Sequence, residues 1–309
     1  MNRIYLLLGL MVLGGVQSTL QAQQNPQYTQ YMYNMSVINP AYAGSKESLS
    51  MGLLYRKQWV GFEGAPATGT FFGHTRVGKN VGLGLSFIND KLGPITENNV
   101  YGDFSYTLDL GREHKLALGL KAGATFHNAK LLSEVGVYDQ MDPDDPAFGE
   151  DSNSTLFNFG LGAYYYTDRY YVGLGMPNML KGYYLNYDGR QFGQEELHMF
   201  LTGGYVFDLD RDWKLKPSAM VKYGFNAPMS FDVSLNAMYA NKLEGGITYR
   251  KDDAIGGMLN YRITKSLRIG YAYDYITSDI RREAKGSHEF ILLYDLFFSK
   301  RVSSSSRYF

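Results

Sequence analysis

The sequence predicts an all-β protein, a transmembrane antiparallel β-barrel of about 14 strands behind a short N-terminal amphipathic helix. Three observations carry this reading: hydropathy that alternates with a period of two from residue 48 to residue 298, connections whose lengths sort by parity, and a composition rich in glycine and tyrosine. The 309 residues include 35 Gly, 27 Tyr and 18 Phe, and Gly and Tyr both disfavour helix. Charged residues make up 19%, below the roughly one quarter of soluble domains. The 30 basic and 30 acidic residues balance, which removes the electrostatic basis for binding nucleic acid. With no Cys in the chain, disulfide scaffolds, zinc knuckles, iron-sulfur sites and thiol nucleophiles are excluded.

The chain opens on Met1, Asn2 and Arg3, runs apolar from Ile4 to Val16, and reaches a small residue at Ala22. These are the three regions of a secretory signal peptide, assigned to residues 1–22, with an apolar core too short to span a bilayer as a helix. No Cys stands at the cleavage point, so the mature chain is not a lipoprotein. In the next segment, 23–47, Asn25-Pro26 can start a helix, and Tyr28, Tyr31, Met32 and Met35 follow at i, i+3, i+4 and i+7. Asn39-Pro40 then ends it, because a residue before proline avoids the α region. This segment is the candidate plug or partner-binding element.

From residue 48 the strands fall at 48–60, 65–77, 80–91, 95–110, 114–128, 154–168, 169–176, 196–210, 213–226, 229–240, 242–251, 254–264, 266–277 and 287–298, leaving 299–309 as a tail. In the fifth, Leu116, Leu118, Leu120, Ala122, Ala124 and Phe126 share one face against Ala117, Gly119, Lys121, Gly123 and Thr125. Lipid takes the apolar face and the lumen takes the small and charged one. The inward set includes Lys121, Asp232, Arg262, Arg268 and Asp274, with both signs present. A solute-selective pore more often shows one dominant sign; mixed charge suits pairing across the lumen or against a plug. Fourteen tilted strands enclose a backbone diameter on the order of 28 Å.

Every second connection is tight and polar: Gly78-Lys79-Asn80, Gly111-Arg112-Glu113, Asp168-Arg169, Asp210-Arg211-Asp212, Asn241-Lys242 and Lys265-Ser266. The long ones, 129–153, 177–195 and 278–286, all have the other parity. Outer-membrane barrels segregate loops in this way, short in the periplasm and long outside, whereas a soluble sandwich has no reason to. Lys79, Arg112, Arg169 and Lys242 are therefore candidate periplasmic docking positions. Tyr164-Tyr165-Tyr166, Tyr170-Tyr171 and Tyr183-Tyr184 lie at segment ends, where an aromatic girdle is expected.

Enzymatic signatures are lacking: there is no nucleophile elbow, zinc helix or phosphate loop. His74, His114, His127, His198 and His288 are scattered without metal-ligand spacing, and Gly82-Leu-Gly84 and Gly173-Leu-Gly175 sit inside strands, where Gly permits close backbone approach. Asp142, Asp144 and Asp145 could hold calcium, but a solvated acidic loop is the simpler reading. No cofactor is expected.

Several blocks resemble the PorP/SprF family of Bacteroidetes outer-membrane proteins, with the PorP-like members nearest. They are Tyr28-Thr-Gln-Tyr-Met32, Asn39-Pro-Ala-Tyr-Ala-Gly44, Arg56-Lys-Gln-Trp-Val-Gly61, Gly64-Ala-Pro-Ala-Thr68, Gly82-Leu-Gly84 with Asn89-Asp90 and Leu92-Gly-Pro94, Gly270-Tyr-Ala-Tyr-Asp-Tyr275 and Gly286-Ser-His-Glu289. Gln58, Trp59, Gly61, Pro66, Gly286, His288 and Glu289 are the motif residues singled out. The resemblance implies a non-enzymatic component of the type IX protein secretion system in the outer membrane of a Gram-negative Bacteroidetes cell. Its partners would be outer-membrane lipid, periplasmic ring lipoproteins and a peptidoglycan-binding anchor, and its cargo proteins with C-terminal sorting domains. SprF-like members instead act with particular surface adhesins in gliding motility. A diffusion porin is the alternative outside the family.

Overall fold

The computed structural model describes residues 27–130, 151–180, 182–187, 190–194, 197–225 and 227–298. The signal peptide, Asn25-Pro26, the acidic trio Asp142, Asp144 and Asp145, and the tail 299–309 lie outside the described residues.

Seven strands come first: β1 Leu49–Lys57, β2 Ala67–Val77, β3 Val81–Leu92, β4 Ile95–Asp109, β5 Lys115–Ala129, β6 Ser152–Tyr166 and β7 Tyr170–Met176. A separate hairpin follows, β8 Tyr183–Tyr187 with β9 Arg190–Gln194. The wall resumes with β10 His198–Tyr205, β11 Phe207–Asp208, β12 Trp213–Gly224, β13 Ala227–Tyr239, β14 Leu243–Arg250, β15 Ala254–Arg262, β16 Leu267–Ile276 and β17 Ser287–Leu296. From β1 to β7 and from β12 to β17 each strand pairs antiparallel with the next, β7 pairs β10, β10 pairs β12, and β1 pairs β17 from Leu49↔Leu296 to Lys57↔His288. The sheet has 15 strands, but β10 and β11 follow one another along β12, so they make one stave. The result is a closed barrel of fourteen staves in which no wall strand is left as a free edge over its whole length, which removes the pairing hazard of an open sheet.

The alternation sorts as the sequence predicts. On β5, Leu118 and Leu120 are 51% and 55% exposed, while Ala117, Lys121 and Thr125 are buried. Arg56, Asp232, Arg250 and Glu289 are likewise turned inward and buried, and Leu53, Ile247 and Leu259 face out. A soluble protein could not leave so continuous an apolar surface in water; a bilayer requires it. The six tight polar connections lie at one end together with the start of β1 and the end of β17. The strand ends that flank the long ones lie at the other end, alongside the tight Gly93–Pro94 and Lys251–Asp253 connections.

Two details differ from the sequence reading. The 177–195 connection contains the β8–β9 hairpin rather than loop alone; Asp188-Gly189 between two alternating runs is the turn signal that could have found it. The tyrosine runs do not all serve a girdle. Tyr165, Tyr170 and Tyr205 face out and form one, with Tyr170 stacked on Tyr205 at 6.1 Å. Tyr164, Tyr166 and Tyr171 are buried inside. A period of two sends neighbours to opposite faces, so a run of three tyrosines cannot all reach lipid.

A charge placed on the outer wall tests the assignment of faces. Leu120→Arg is expected to destabilise the barrel in lipid vesicles by about 2–4 kcal/mol in urea titration, and unchanged stability would contradict a lipid-facing Leu120.

Candidate functional site

The lumen is filled by the chain's own N-terminal segment. Residues 27–48 include a 3-10 turn Tyr31–Tyr33, a single α turn Met35–Ile38 and a second 3-10 turn Pro40–Tyr42. The helical piece is thus present but broken in three. Asn34 sits at φ −112° and ψ 30°, and Asn39 is extended before Pro40. Tyr28, Tyr31, Met32, Met35, Asn39 and Pro40 are all buried, but so are Thr29, Gln30, Asn34 and Ser36 between them. From Tyr28 to Ser45 the segment therefore has no solvent face, Tyr33 alone being half-buried, and the chain returns to solvent at Glu47.

Four groups of contacts tie it to the wall. In the first, the Thr29 and Gln30 N–H groups donate to the two Glu289 carboxylate oxygens at 2.8 and 2.9 Å. Arg56 spans Glu289 at 3.1 Å and Asp274 at 2.7 Å, and also donates to the Thr29 hydroxyl at 2.8 Å. That hydroxyl donates to Asp274 at 2.6 Å. Arg250 extends the cluster through Asp232 and Asp253, both at 3.1 Å, and donates to the Tyr28 carbonyl at 3.3 Å. These ions are buried, so each depends on its partners for the solvation that water would have given.

The second group lies nearer the short-turn end. The Tyr33 hydroxyl donates to Glu244, which also accepts from Asn236 at 2.6 Å and pairs with Arg268 at 3.5 Å. The Lys216 ammonium and the Arg268 guanidinium each lie 5.3 Å from the Tyr33 ring centre, within cation–π range. In the third group Lys121 pairs with Asp103 at 2.8 Å and donates to the Ser36 carbonyl at 3.3 Å. The fourth guides the chain out to β1: Ser105 donates to the Ala43 carbonyl at 2.6 Å, Arg76 to the Gly44 carbonyl at 2.9 Å, and Lys46 pairs with Asp295 at 3.3 Å.

Inward glycines let the segment lie against the strands. A Cβ on Gly119 would stand 2.2 Å from the Ala41 nitrogen, and one on Gly82 2.2 Å from the Ala43 carbonyl oxygen. The Asn39-to-Gly44 block is held there by Asn39, whose side chain caps the Ala41 N–H at 3.0 Å and donates to the Ala163 carbonyl at 3.0 Å. The glycine-rich strand patterns therefore mark backbone approach, not a nucleotide loop.

The remaining predicted residues divide. Glu289 joins the first group. Gln58, Trp59, Gly61 and Pro66 form the β1–β2 loop, where the Gln58 N–H donates to the Pro66 carbonyl at 2.9 Å. This loop pairs with the β16–β17 loop through Val60 N–H to the Gly286 carbonyl and Lys285 N–H to the Val60 carbonyl, both 2.8 Å. Trp59 at φ 47° and Gly61 at φ 100° make the bend. Gly286 at φ 139° leaves room for Tyr273, and His288 faces outward to the Tyr271 hydroxyl at 2.7 Å. Lys79, Arg112, Arg169 and Lys242 are all exposed at the short-turn end, and Arg169 lies 3.5 Å from Asp208. Sequence reading did not single out Arg56, Arg250, Glu244, Asp103 or Tyr33 as functional; the available signal was charge on the inward parity.

A closed barrel, apolar outside and filled with its own N-terminal segment, defines an outer-membrane β-barrel protein. Solved structures share the architecture: the CymD monoaromatic hydrocarbon channel, 13% identical, matches over 88% of this chain and 93% of its own with a TM-score of 0.54. The toluene transporter TbuX of Ralstonia pickettii, 10% identical, matches over 84% and 92% with a TM-score of 0.50. At such identity the likeness concerns fold alone. A search of curated protein sequences gave no match. The family model described as "Type IX secretion system membrane protein PorP/SprF" matches residues 20–294, and the chain belongs to that family, as an outer-membrane member of the type IX secretion system.

Removing Arg56 leaves Asp274 and Glu289 buried without their shared cation. Arg56→Ala is expected to cost about 3–5 kcal/mol, and in planar bilayers to turn a silent protein into one with intermittent conductance as the segment loosens. Silence with unchanged stability would contradict the role given to the network.

Proposed function

We propose that this protein is a non-enzymatic, plugged outer-membrane anchor that couples periplasmic parts of the type IX secretion system to the membrane during export of proteins with C-terminal sorting domains. The observation that carries the reading is the occupied lumen: from Tyr28 to Ser45 every residue but the half-buried Tyr33 is buried inside the wall, and Thr29 and Gln30 are hydrogen-bonded to the wall's Arg56–Asp274–Glu289 cluster, leaving the barrel's ends rather than its bore to meet partners. A diffusion porin needs the bore, and the mixed, mutually paired charges inside are ill suited to selecting a solute.

The short-turn end faces the periplasm. It carries the exposed Lys79, Arg112, Arg169 and Lys242 on turns a few residues long, and such turns hold their backbone in a fixed position. Ring lipoproteins and a peptidoglycan-binding anchor are the partners this end receives. A surface-adhesin partner belongs to the same family reading and is separated by the same test. In this account the internal segment is structural: it satisfies the wall's charges and keeps the membrane sealed while force passes through the anchor.

Photo-crosslinkers placed at Lys79, Arg112, Arg169 and Lys242 in living cells test the orientation and the partner together. Adducts with periplasmic lipoproteins or a peptidoglycan-binding protein are expected from at least two of the four positions. Adducts solely with a surface adhesin, or crosslinking confined to positions in the long loops, would overturn the coupling role.

A further inference from the structure

The wall is not built of strand everywhere. β6 runs from Ser152 to Tyr166, but β7 pairs with it only from Leu161↔Met176 to Tyr166↔Tyr171. Beyond Met176 the barrel is closed by an irregular segment, Pro177 to Leu180. Pro177 and Asn178 line a cavity of about 60 Å³ between the internal segment and the wall, whereas Leu180 lines an apolar groove on the outer surface. Four residues thus pass from the inside of the wall to the outside.

One side chain fixes them. The Asn158 side-chain oxygen Oδ1 accepts from the Met179 and Leu180 N–H groups at 2.8 and 2.9 Å, and its Nδ2 donates to the Leu180 carbonyl at 3.0 Å. The Met179 N–H also donates to the Phe159 carbonyl at 2.9 Å. An irregular closure opens more readily than a strand ladder.

The two spaces it separates differ in chemistry. The outer groove, between Phe126, Phe157 and Leu180 over the small Ala122 and Ala124, is apolar and lies within the band that meets acyl chains. The inner cavity has apolar walls at Ile38, Ile88 and Phe200 and polar ones at Glu97, Asn99, Lys121 and Thr125, and it also contains Ser86. Ser86 is 1% exposed, and its hydroxyl has no hydrogen-bond partner among the described residues. An unmade bond on a buried hydroxyl is costly, and this one lines a space large enough for a few atoms.

We propose that Pro177–Leu180 is a lateral portal latched by Asn158, and that it admits a single-chain amphiphile from the bilayer. The polar end of the amphiphile hydrogen-bonds Ser86 in the inner cavity and its alkyl chain lies out through the portal along the Phe157 groove. Neither the short-turn partners nor the secretion role enters this inference, so it stands or falls separately from them.

The test uses the full barrel in lipid nanodiscs, with Trp59→Phe and Trp213→Phe removing the native tryptophans and Phe200→Trp as reporter in the cavity. Dibromostearic acid is the probe, since bromine quenches tryptophan only at close range. Saturable quenching is expected. Ser86→Ala should raise the half-saturating concentration roughly 3- to 10-fold, and Asn158→Ala should speed the approach to equilibrium while Asn158→Asp, which keeps the acceptor, stays closer to the parent. Quenching that rises linearly without saturation, or saturable quenching that Ser86→Ala leaves unchanged, would overturn the proposal. Amide exchange of Met179 and Leu180 in the unsubstituted chain supplies a second reading: faster exchange than at Gly175 and Leu161 is expected, and equal protection would count against a portal.

Discussion

Charge turned inward in a membrane barrel has to be neutralised from within, and that constraint organises this protein. The alternation that gives lipid an apolar wall sends Arg56, Asp103, Lys121, Asp232, Glu244, Arg250, Asp274 and Glu289 into a lumen cut off from bulk water. Such ions are tolerable only when paired and hydrogen-bonded. Strand-to-strand pairs meet part of the demand, as between Arg250 and Asp232, but Glu289 takes two of its donors from the main chain of Thr29 and Gln30. The internal segment is therefore a component of the wall's electrostatics as well as an obstruction in its bore.

The same dependence explains the irregular path of the segment. A continuous helix satisfies its own N–H groups and would have few to offer Glu289. Broken into single turns, residues 27–48 present main-chain donors to Glu289 and carbonyls to Arg76, Lys121, Ser105 and Arg250. Inward glycines on β3 and β5 bring the backbone close enough for those contacts to form. Folding of the wall and seating of the segment are thus expected to be coupled, because neither surface is satisfied without the other.

Much of this was legible in the chain, for identifiable reasons. A period of two is a local property, so the face of Leu120 and Lys121 can be read without knowing their neighbours. Loop parity is likewise local. The partners of Arg56 are not: Thr29, Asp274 and Glu289 lie 27, 218 and 233 residues away along the chain, and the sequence shows only that each is polar and inward. Segment-end position suggests a girdle for Tyr164 and Tyr166, but parity turns both inward. The spacing of Tyr28, Tyr31, Met32 and Met35 did mark residues that pack together, yet the burial of Thr29, Gln30 and Ser36 among them could not be foreseen without the surrounding barrel.

The central claim is that residues 27–48 reside in the lumen of the membrane-inserted protein. Because the native chain has no cysteine, a single Ser36→Cys substitution reports on it cleanly. With a membrane-impermeant maleimide applied to both sides of outer-membrane vesicles, the account predicts that this thiol stays unlabelled until urea unfolds the barrel, while a Lys79→Cys control reacts at once. Labelling of position 36 at the rate of the control, in folded protein, would contradict it.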